Sequence, residues 1–113
     1  MRIISGEFKG RLIKFLKNSN TRPLKDTVRE SIFNILQHSS LINVSIKNSN
    51  VLDLYSGIGS FGIECISRGA KKVTFIDKDQ EATKILKENL LKLSLIDKTN
   101  VYTSDIDSVI STK

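Results

Sequence analysis

The sequence predicts an α/β fold in which helices alternate with the strands of a parallel sheet. Three short segments of strand character begin at Val51, Val73 and Asn100, and segments with helical apolar spacing separate them. Strands joined through helices in this way run parallel and are connected by right-handed crossovers. Their carboxyl ends then meet at one edge of the sheet, where folds of this kind bind their ligands.

The first strand, residues 51–55, leads into a glycine-rich turn. Gly57, Gly59 and Gly62 fit the pattern G-x-G-x-x-G, in which the missing side chains let backbone N–H groups and a helix N-terminus approach a ligand. The second strand ends at Asp77, 20 residues after Gly57. Rossmann-like folds place a carboxylate for the ribose hydroxyls at this spacing. Together, these features predict a site for an adenosine-containing cofactor.

An acidic residue inside the first strand, Asp53, indicates which cofactor binds. A pyrophosphate favours N–H donors and no nearby negative charge, so Asp53 disfavours a dinucleotide such as NAD. The same carboxylate would attract the ammonium and sulfonium charges of S-adenosylmethionine, which is therefore the predicted cofactor. Asp53 could also fix the glycine loop by hydrogen bonds, and the two roles are compatible.

A small hairpin and a helix are predicted ahead of the first strand. Residues 1–15 alternate in short apolar pieces around Gly6 and Gly10, which is typical of two short strands joined by a turn. A helix is predicted to start at Thr27, because Thr27 and Glu30 match a capping box and the apolar residues that follow fall on one face.

Two further helices are predicted between the strands. The first runs from about Gly59 to Arg68 and stops at Gly69. Asp79 is predicted to cap the second. The apolar face of this second helix consists of Ala82, Ile85, Leu86, Leu90 and Leu93. No strand or helix is predicted for residues 106–113, so the sheet is expected to be incomplete at its C-terminal end.

Composition narrows the class of protein. A chain of 113 residues has room for one modest core. It contains no apolar run near the ~20 residues of a membrane span and no recognisable signal peptide, so we expect a cytoplasmic protein without membrane contact. The single cysteine, Cys65, excludes an internal disulfide and a cysteine-rich metal site, and no metal is expected.

Most of the net charge of +6 lies near the N-terminus. Residues 1–30 hold eight Lys or Arg against three Asp or Glu, a net of +5, whereas the remaining 83 residues hold ten against nine, a net of +1. A basic block of this kind is typical of nucleic-acid contacts, although a solvated surface could have the same composition. We therefore divide the chain into a basic extension, residues 1–48, and a cofactor-binding part, residues 49–113.

Five segments carry a resemblance to a known family. They are residues 1–11 (MRIISGEFKGR), 22–36 (RPLKDTVRESIFNIL), 51–64 (VLDLYSGIGSFGIE), 67–70 (SRGA) and 73–77 (VTFID). From residue 1 to about 105, the chain resembles the N-terminal part of the RsmD-type 16S ribosomal RNA guanine-N2 methyltransferases. The resemblance implies a Rossmann-like, S-adenosylmethionine-dependent enzyme that methylates a guanine N2 amine in small-subunit rRNA, either free or in the 30S particle.

The resemblance also implies residue roles. Asp53 and the segment Gly57 to Gly59 would hold the methionine end of the cofactor. Asp77 would accept both ribose hydroxyls, and Asp105 with the backbone of Ile106 would lie at the adenine. The full candidate cofactor site consists of Asp53, Tyr55, Ser56, Gly57, Gly59, Asp77, Lys78, Asp105 and Ile106. The residues expected to contact RNA are Lys9, Arg11, Arg22 and Arg29.

One feature of the family has no counterpart here. Its Asn- or Asp-Pro-Pro-aromatic motif binds the guanine amine and stacks on the flipped base, but the only proline in this sequence is Pro23. No catalytic residue is therefore predicted. The chain alone is expected to be inactive and to self-associate through the free edge of its first strand. Two other functions stay open: a non-catalytic RNA-binding module or truncated fragment, and an NAD-dependent oxidoreductase.

Overall fold

A computed structural model describes residues 1–15, 26–38, 45–105 and 107–108. Helices and strands alternate after the first helix, as the sequence predicts. In chain order the elements are helix α1 (Asp26–His38), strand β1 (Asn50–Leu54), helix α2 (Ser60–Ser67), strand β2 (Lys72–Ile76), helix α3 (Gln80–Lys92) and strand β3 (Thr99–Tyr102).

The three strands form one parallel sheet in the order β1-β2-β3. Leu54 at the end of β1 pairs with Ile76 at the end of β2, and Ile76 pairs with Tyr102 at the end of β3. The register thus aligns the carboxyl ends of all three strands at one edge, and the predicted α/β fold class is confirmed. Within the described residues, β1 is an outer strand of the sheet.

Helices cover one face of the sheet. Gly62 of α2 lies so close to β2 that an added Cβ would come within 2.3 Å of Phe75 and 2.9 Å of Val73, and both of these side chains are fully buried. Within the described part of the chain, two side chains of the opposite face are largely exposed, Leu52 at 55% and Tyr102 at 46%, whereas Ile76 at its centre is buried. Self-association through the free edge of β1 stays a prediction.

The N-terminal arm, defined here as residues 1–15, folds back on itself and packs against the helices. Its hairpin has a single antiparallel bridge, between Arg2 and Leu12, where the sequence predicted two short strands. The ladder is short because the next N–H groups along the arm, on Ile4 and Ser5, donate to a side chain of α2. Ile3 and Ile13 enter the same buried cluster as the helices and the sheet.

The helix ends follow the predicted chemistry. Gly69 has a φ of 107°, its N–H donates to the Ile66 carbonyl, and the N–H of Ala70 donates to the Cys65 carbonyl. These two hydrogen bonds form the Schellman motif, so Gly69 ends α2 as expected. Asp79 caps α3 by accepting the N–H groups of Glu81 and Ala82.

The structure differs from the sequence predictions at three places. Helix α1 begins at Asp26, one residue early, and the side chain of Thr27 is not among those described. An unpredicted 3-10 turn, Ile96–Lys98, precedes β3, where the Thr99 hydroxyl contacts the Leu95 and Ile96 carbonyls. Asp107 and Ser108 are helical, so the expectation of no helix after β3 is wrong for these residues.

Candidate functional site

The loop after β1 turns through three residues of positive φ. They are Tyr55 at 56°, Gly57 at 57° and Gly59 at 92°. Glycine adopts this region freely, but tyrosine does not, so surrounding contacts must hold the turn. Two backbone bonds contribute, since the N–H of Ser56 donates to the Ile76 carbonyl at 3.1 Å and that of Gly59 to the Ser56 carbonyl at 2.9 Å.

Asp77 connects this loop to the start of α3. Its Oδ2 accepts the N–H of Gly57 at 2.8 Å, and its Oδ1 accepts the N–H of Asp79 at 2.9 Å. The parallel register brings the ends of β1 and β2 together, as the glycine-to-aspartate spacing predicted. Each carboxylate oxygen has a second lone pair, so Asp77 keeps acceptor capacity for a ligand hydroxyl.

Asp53 lies behind the loop and is buried, with 8% of its surface exposed. Its Oδ2 accepts the N–H of Gly62, in the first turn of α2, at 3.1 Å. Gly59 at the N-cap has no side chain, so Asp53 supplies the capping carboxylate from a neighbouring strand. Burial raises the pKa of Asp53 to about 6; the bond from Gly62 opposes this rise and the charge of Asp77 adds to it. This is the loop-fixing role foreseen for Asp53.

A cleft of about 320 Å³ opens at the carboxyl edge of the sheet. Its lining residues are Tyr55, Ile76, Asp77, Lys78, Ser104, Asp105 and Asp107. Four of these belong to the predicted cofactor site: Tyr55, Asp77, Lys78 and Asp105. Ile106 lies outside the described residues. The sequence reasoning missed Ser104 and Asp107, although the repeat of aspartate at 105 and 107 after the third strand was an available signal.

The chemistry of the cleft fits an adenosine ligand with a cationic tail. The lining includes three carboxylates, on Asp77, Asp105 and Asp107, and one ammonium, on Lys78. Carboxylates accept hydroxyl hydrogen bonds and attract positive charge, whereas they repel a pyrophosphate. The Ser56 hydroxyl, predicted as part of the site, does not line this cleft; its oxygen is buried in the glycine loop without a hydrogen-bond partner. The residues present therefore suit S-adenosylmethionine.

The arm is docked onto α2 through Glu64, which is completely buried. The Glu64 carboxylate accepts the N–H groups of Ile4 at 2.9 Å and Ser5 at 3.0 Å, and it pairs with Arg68 Nε at 2.8 Å. Ser67 adds a bond from the N–H of Phe8 at 2.9 Å. The sequence reasoning missed this docking site. Its signal was a charged residue inside an apolar helix, with an arginine four positions later.

The predicted RNA contacts divide into two groups. Lys9 and Arg11 are exposed on the arm, and Arg22 lies outside the described residues. Arg29, in contrast, is fully buried, and its Nη2 donates to the Arg2 carbonyl at 2.6 Å. The prediction that Arg29 contacts RNA is therefore wrong for this structure, because its guanidinium ties α1 to the arm and does not face solvent.

The remaining candidates for chemistry are few. Cys65 is buried, and burial raises the pKa of its thiol to about 12, so it packs as an apolar residue. Among the described residues, no three His, Cys, Asp or Glu side chains come together as metal ligands. No helix in this part of the chain has the length and apolar character needed to cross a membrane.

The fold and the carboxyl-edge site define the class of Rossmann-like proteins to which S-adenosylmethionine-dependent methyltransferases belong. The model of the family described as Conserved hypothetical protein 95 matches residues 1–113. This is the RsmD family, and the chain belongs to it.

Relatives and solved structures agree with this membership. Ribosomal RNA small subunit methyltransferase D of Haemophilus influenzae is 41% identical over 93 residues, covering 82% of this chain and 45% of the relative. The protein of the same name from Buchnera aphidicola is 39% identical over 102 residues, covering 90% and 48%. A hypothetical protein of Thermus thermophilus superposes with a TM-score of 0.80 at 25% identity, covering 99% of this chain and 60% of that one. The chain spans about half the length of the curated relatives it matches.

Proposed function

We propose that this chain forms the cofactor half-site and the RNA-contacting arm of an S-adenosylmethionine-dependent methyltransferase acting on the N2 amine of a guanine in small-subunit rRNA. The observation that carries the proposal is the meeting of the glycine loop, Asp77 and an acidic cleft at one edge of the sheet. The names of the relatives support rRNA as the substrate class. Action in the cytoplasm, on rRNA or the 30S particle, belongs to the same proposal.

The residues of this chain would bind and orient the methyl donor, which supplies an activated methyl group when bound. Asp77 would accept the ribose hydroxyls while holding Gly57 in place. Asp53, behind the loop, would offset the positive charge of the donor, and Asp105 would face its adenine. None of these residues is proposed to bind the guanine amine, so this half-site accounts for cofactor binding and not for base recognition.

Replacing Asp77 with alanine is expected to weaken binding of S-adenosylhomocysteine at least about tenfold. Each lost hydroxyl bond to a charged acceptor is worth ~1.5–3 kcal/mol, and a tenfold change in affinity corresponds to ~1.4 kcal/mol. Isothermal titration calorimetry measures the change, and circular dichroism checks that the variant is folded. Asp97→Ala is the matched control, because Asp97 is exposed in the turn before β3, at the opposite edge of the sheet.

Equal affinity of Asp77→Ala and the original chain would show that the ribose assignment is wrong. The same titration with NAD separates the proposal from its enzymatic rival. The acidic cleft predicts that NAD binds more weakly than S-adenosylhomocysteine. Tighter binding of NAD would favour a dinucleotide-dependent oxidoreductase.

The exposed cations of the arm are expected to set the affinity for RNA. Replacing both Lys9 and Arg11 with alanine should weaken binding of a small-subunit rRNA fragment and lower its salt slope by up to about two, because each phosphate contact releases a counterion. Filter binding between low and moderate salt measures both quantities. The control replaces Lys84 and Lys87, which are exposed on α3. An unchanged slope in the arm variant would mean that its charge is only a solvated surface.

A further inference from the structure

Asn89 of α3 contacts two parts of the chain that are proposed to bind different ligands. Its side chain is buried, with 1% exposed. Its Oδ1 accepts the N–H of Lys14 at 2.8 Å, and its Nδ2 donates to the Lys14 carbonyl at 2.9 Å and to the Ile58 carbonyl at 3.2 Å. Lys14 belongs to the arm and Ile58 to the glycine loop. One carboxamide thus bridges the arm and the loop.

The arm supplies two of the three hydrogen bonds that orient this carboxamide. The backbone of Lys14 presents one donor and one acceptor, and only one of the two amide orientations satisfies both. In that orientation the second Nδ2 hydrogen is available to the Ile58 carbonyl. If the arm detached, the buried amide would lose two of its three bonds, and only the longer bond to the Ile58 carbonyl would hold it.

The loop depends on contacts of this kind. Its residues of positive φ need support from outside, and α3 provides part of it. Leu86, three residues before Asn89, packs so closely that a Cβ on Gly59 would lie 2.2 Å from its Cδ1. Leu86 and Asn89 are one turn apart, so both hold the loop from the same helix face. Among the described side chains of this helix face, Asn89 bonds both to the arm and to the loop.

We infer that Asn89 is a positioning residue that makes the geometry of the cofactor loop depend on the docking of the N-terminal arm. RNA that holds the docked arm through Lys9 and Arg11 therefore strengthens cofactor binding. Linkage requires that the cofactor strengthens RNA binding by the same factor. The dependence of the loop geometry on the arm follows from the contacts of Asn89 alone, whereas the coupling between the two ligands rests on the proposed function.

The first test needs no ligand. Amide hydrogen exchange is compared between the original chain, Asn89→Leu and Glu88→Gln. Glu88 is the matched control, because it also contacts Lys14, through an exposed ion pair at 3.1 Å, but does not bond to the loop. In Asn89→Leu the N–H groups of Gly57 and Gly59 should exchange faster while those of β2 stay protected, and Glu88→Gln should change neither. A uniform change throughout the chain, or no change in the loop, would overturn the positioning role.

The second test measures coupling. Binding of S-adenosylhomocysteine is titrated with and without a saturating small-subunit rRNA fragment. RNA should strengthen binding to the original chain and to Glu88→Gln by at least about fivefold, the lower end of typical coupling between sites, and the factor should fall towards one in Asn89→Leu. A factor that survives the substitution overturns the coupling. If the original chain binds neither ligand, the proposed function fails while the exchange result still decides the role of Asn89. Should Asn89→Leu not fold, Asn89→Ser replaces it in both tests.

Discussion

Replacing Glu64 with alanine is expected to lower the free energy of unfolding by about 3–5 kcal/mol, the range for breaking a buried ion pair. Three donors lose their acceptor at once: the N–H groups of Ile4 and Ser5, and Nε of Arg68. Arg68 has 6% of its side chain exposed, and its guanidinium also lies 4.4 Å from the ring centroid of Phe33. The loss should therefore loosen both the arm and the contact between α1 and α2.

Urea unfolding followed by circular dichroism measures the destabilisation, and limited proteolysis reports release of the arm. The matched control is Glu88→Ala, which removes the exposed ion pair with Lys14 and should cost about 0–1 kcal/mol. Both glutamates link a helix to the arm, but only Glu64 is buried. Similar losses for the two variants would show that burial of Glu64 does not decide how strongly the arm is docked.

Replacing Asp53 with asparagine is expected to stabilise the folded chain above pH 6. Burial raises the pKa of Asp53 from 3.8 to about 6, so the folded state favours the protonated acid. The stability that this preference for protonated Asp53 contributes is fully present below pH 3.8 and is lost as the pH rises through about 6. The shift corresponds to a destabilisation of about 3 kcal/mol at neutral pH, which the variant avoids. Asparagine keeps an oxygen that can accept the N–H of Gly62.

Urea unfolding at a series of pH values between about 4 and 8 tests this expectation. The stability of the original chain should fall relative to Asp53→Asn across this range, with most of the divergence between about pH 4 and 6. Parallel profiles would mean that Asp53 is not held in an unfavourable charged form. If Asp53 also offsets the charge of the methyl donor, the same variant should bind S-adenosylmethionine, which carries the sulfonium charge, more weakly. Asp53 would then lower the stability of the folded chain but contribute to cofactor binding. That combination would explain why an acidic residue occupies a buried position in the strand.

Local signals predicted most of the architecture. The positions of β1 and β2 to within one residue, the cap at Asp79 and the stop at Gly69 follow from residues within a few positions of each other. The G-x-G-x-x-G turn and the distance to Asp77 predicted that two strand ends meet, since parallel strands leave few alternatives. The prediction for Arg29 was wrong because it also rested on a local signal. A basic residue in a basic segment is normally exposed, and the burial of Arg29 against the arm has no local signature.

The sequence by itself therefore determined the alternation of strands and helices, the glycine loop and the acid that follows the second strand. The tertiary structure alone decided that Glu64 docks the arm and that Asn89 joins the arm to the loop. These bonds connect residues 60 and 75 positions apart in the chain. Whether a buried carboxylate or carboxamide finds its partners depends on how distant segments pack, and no periodicity or spacing along the chain records that packing.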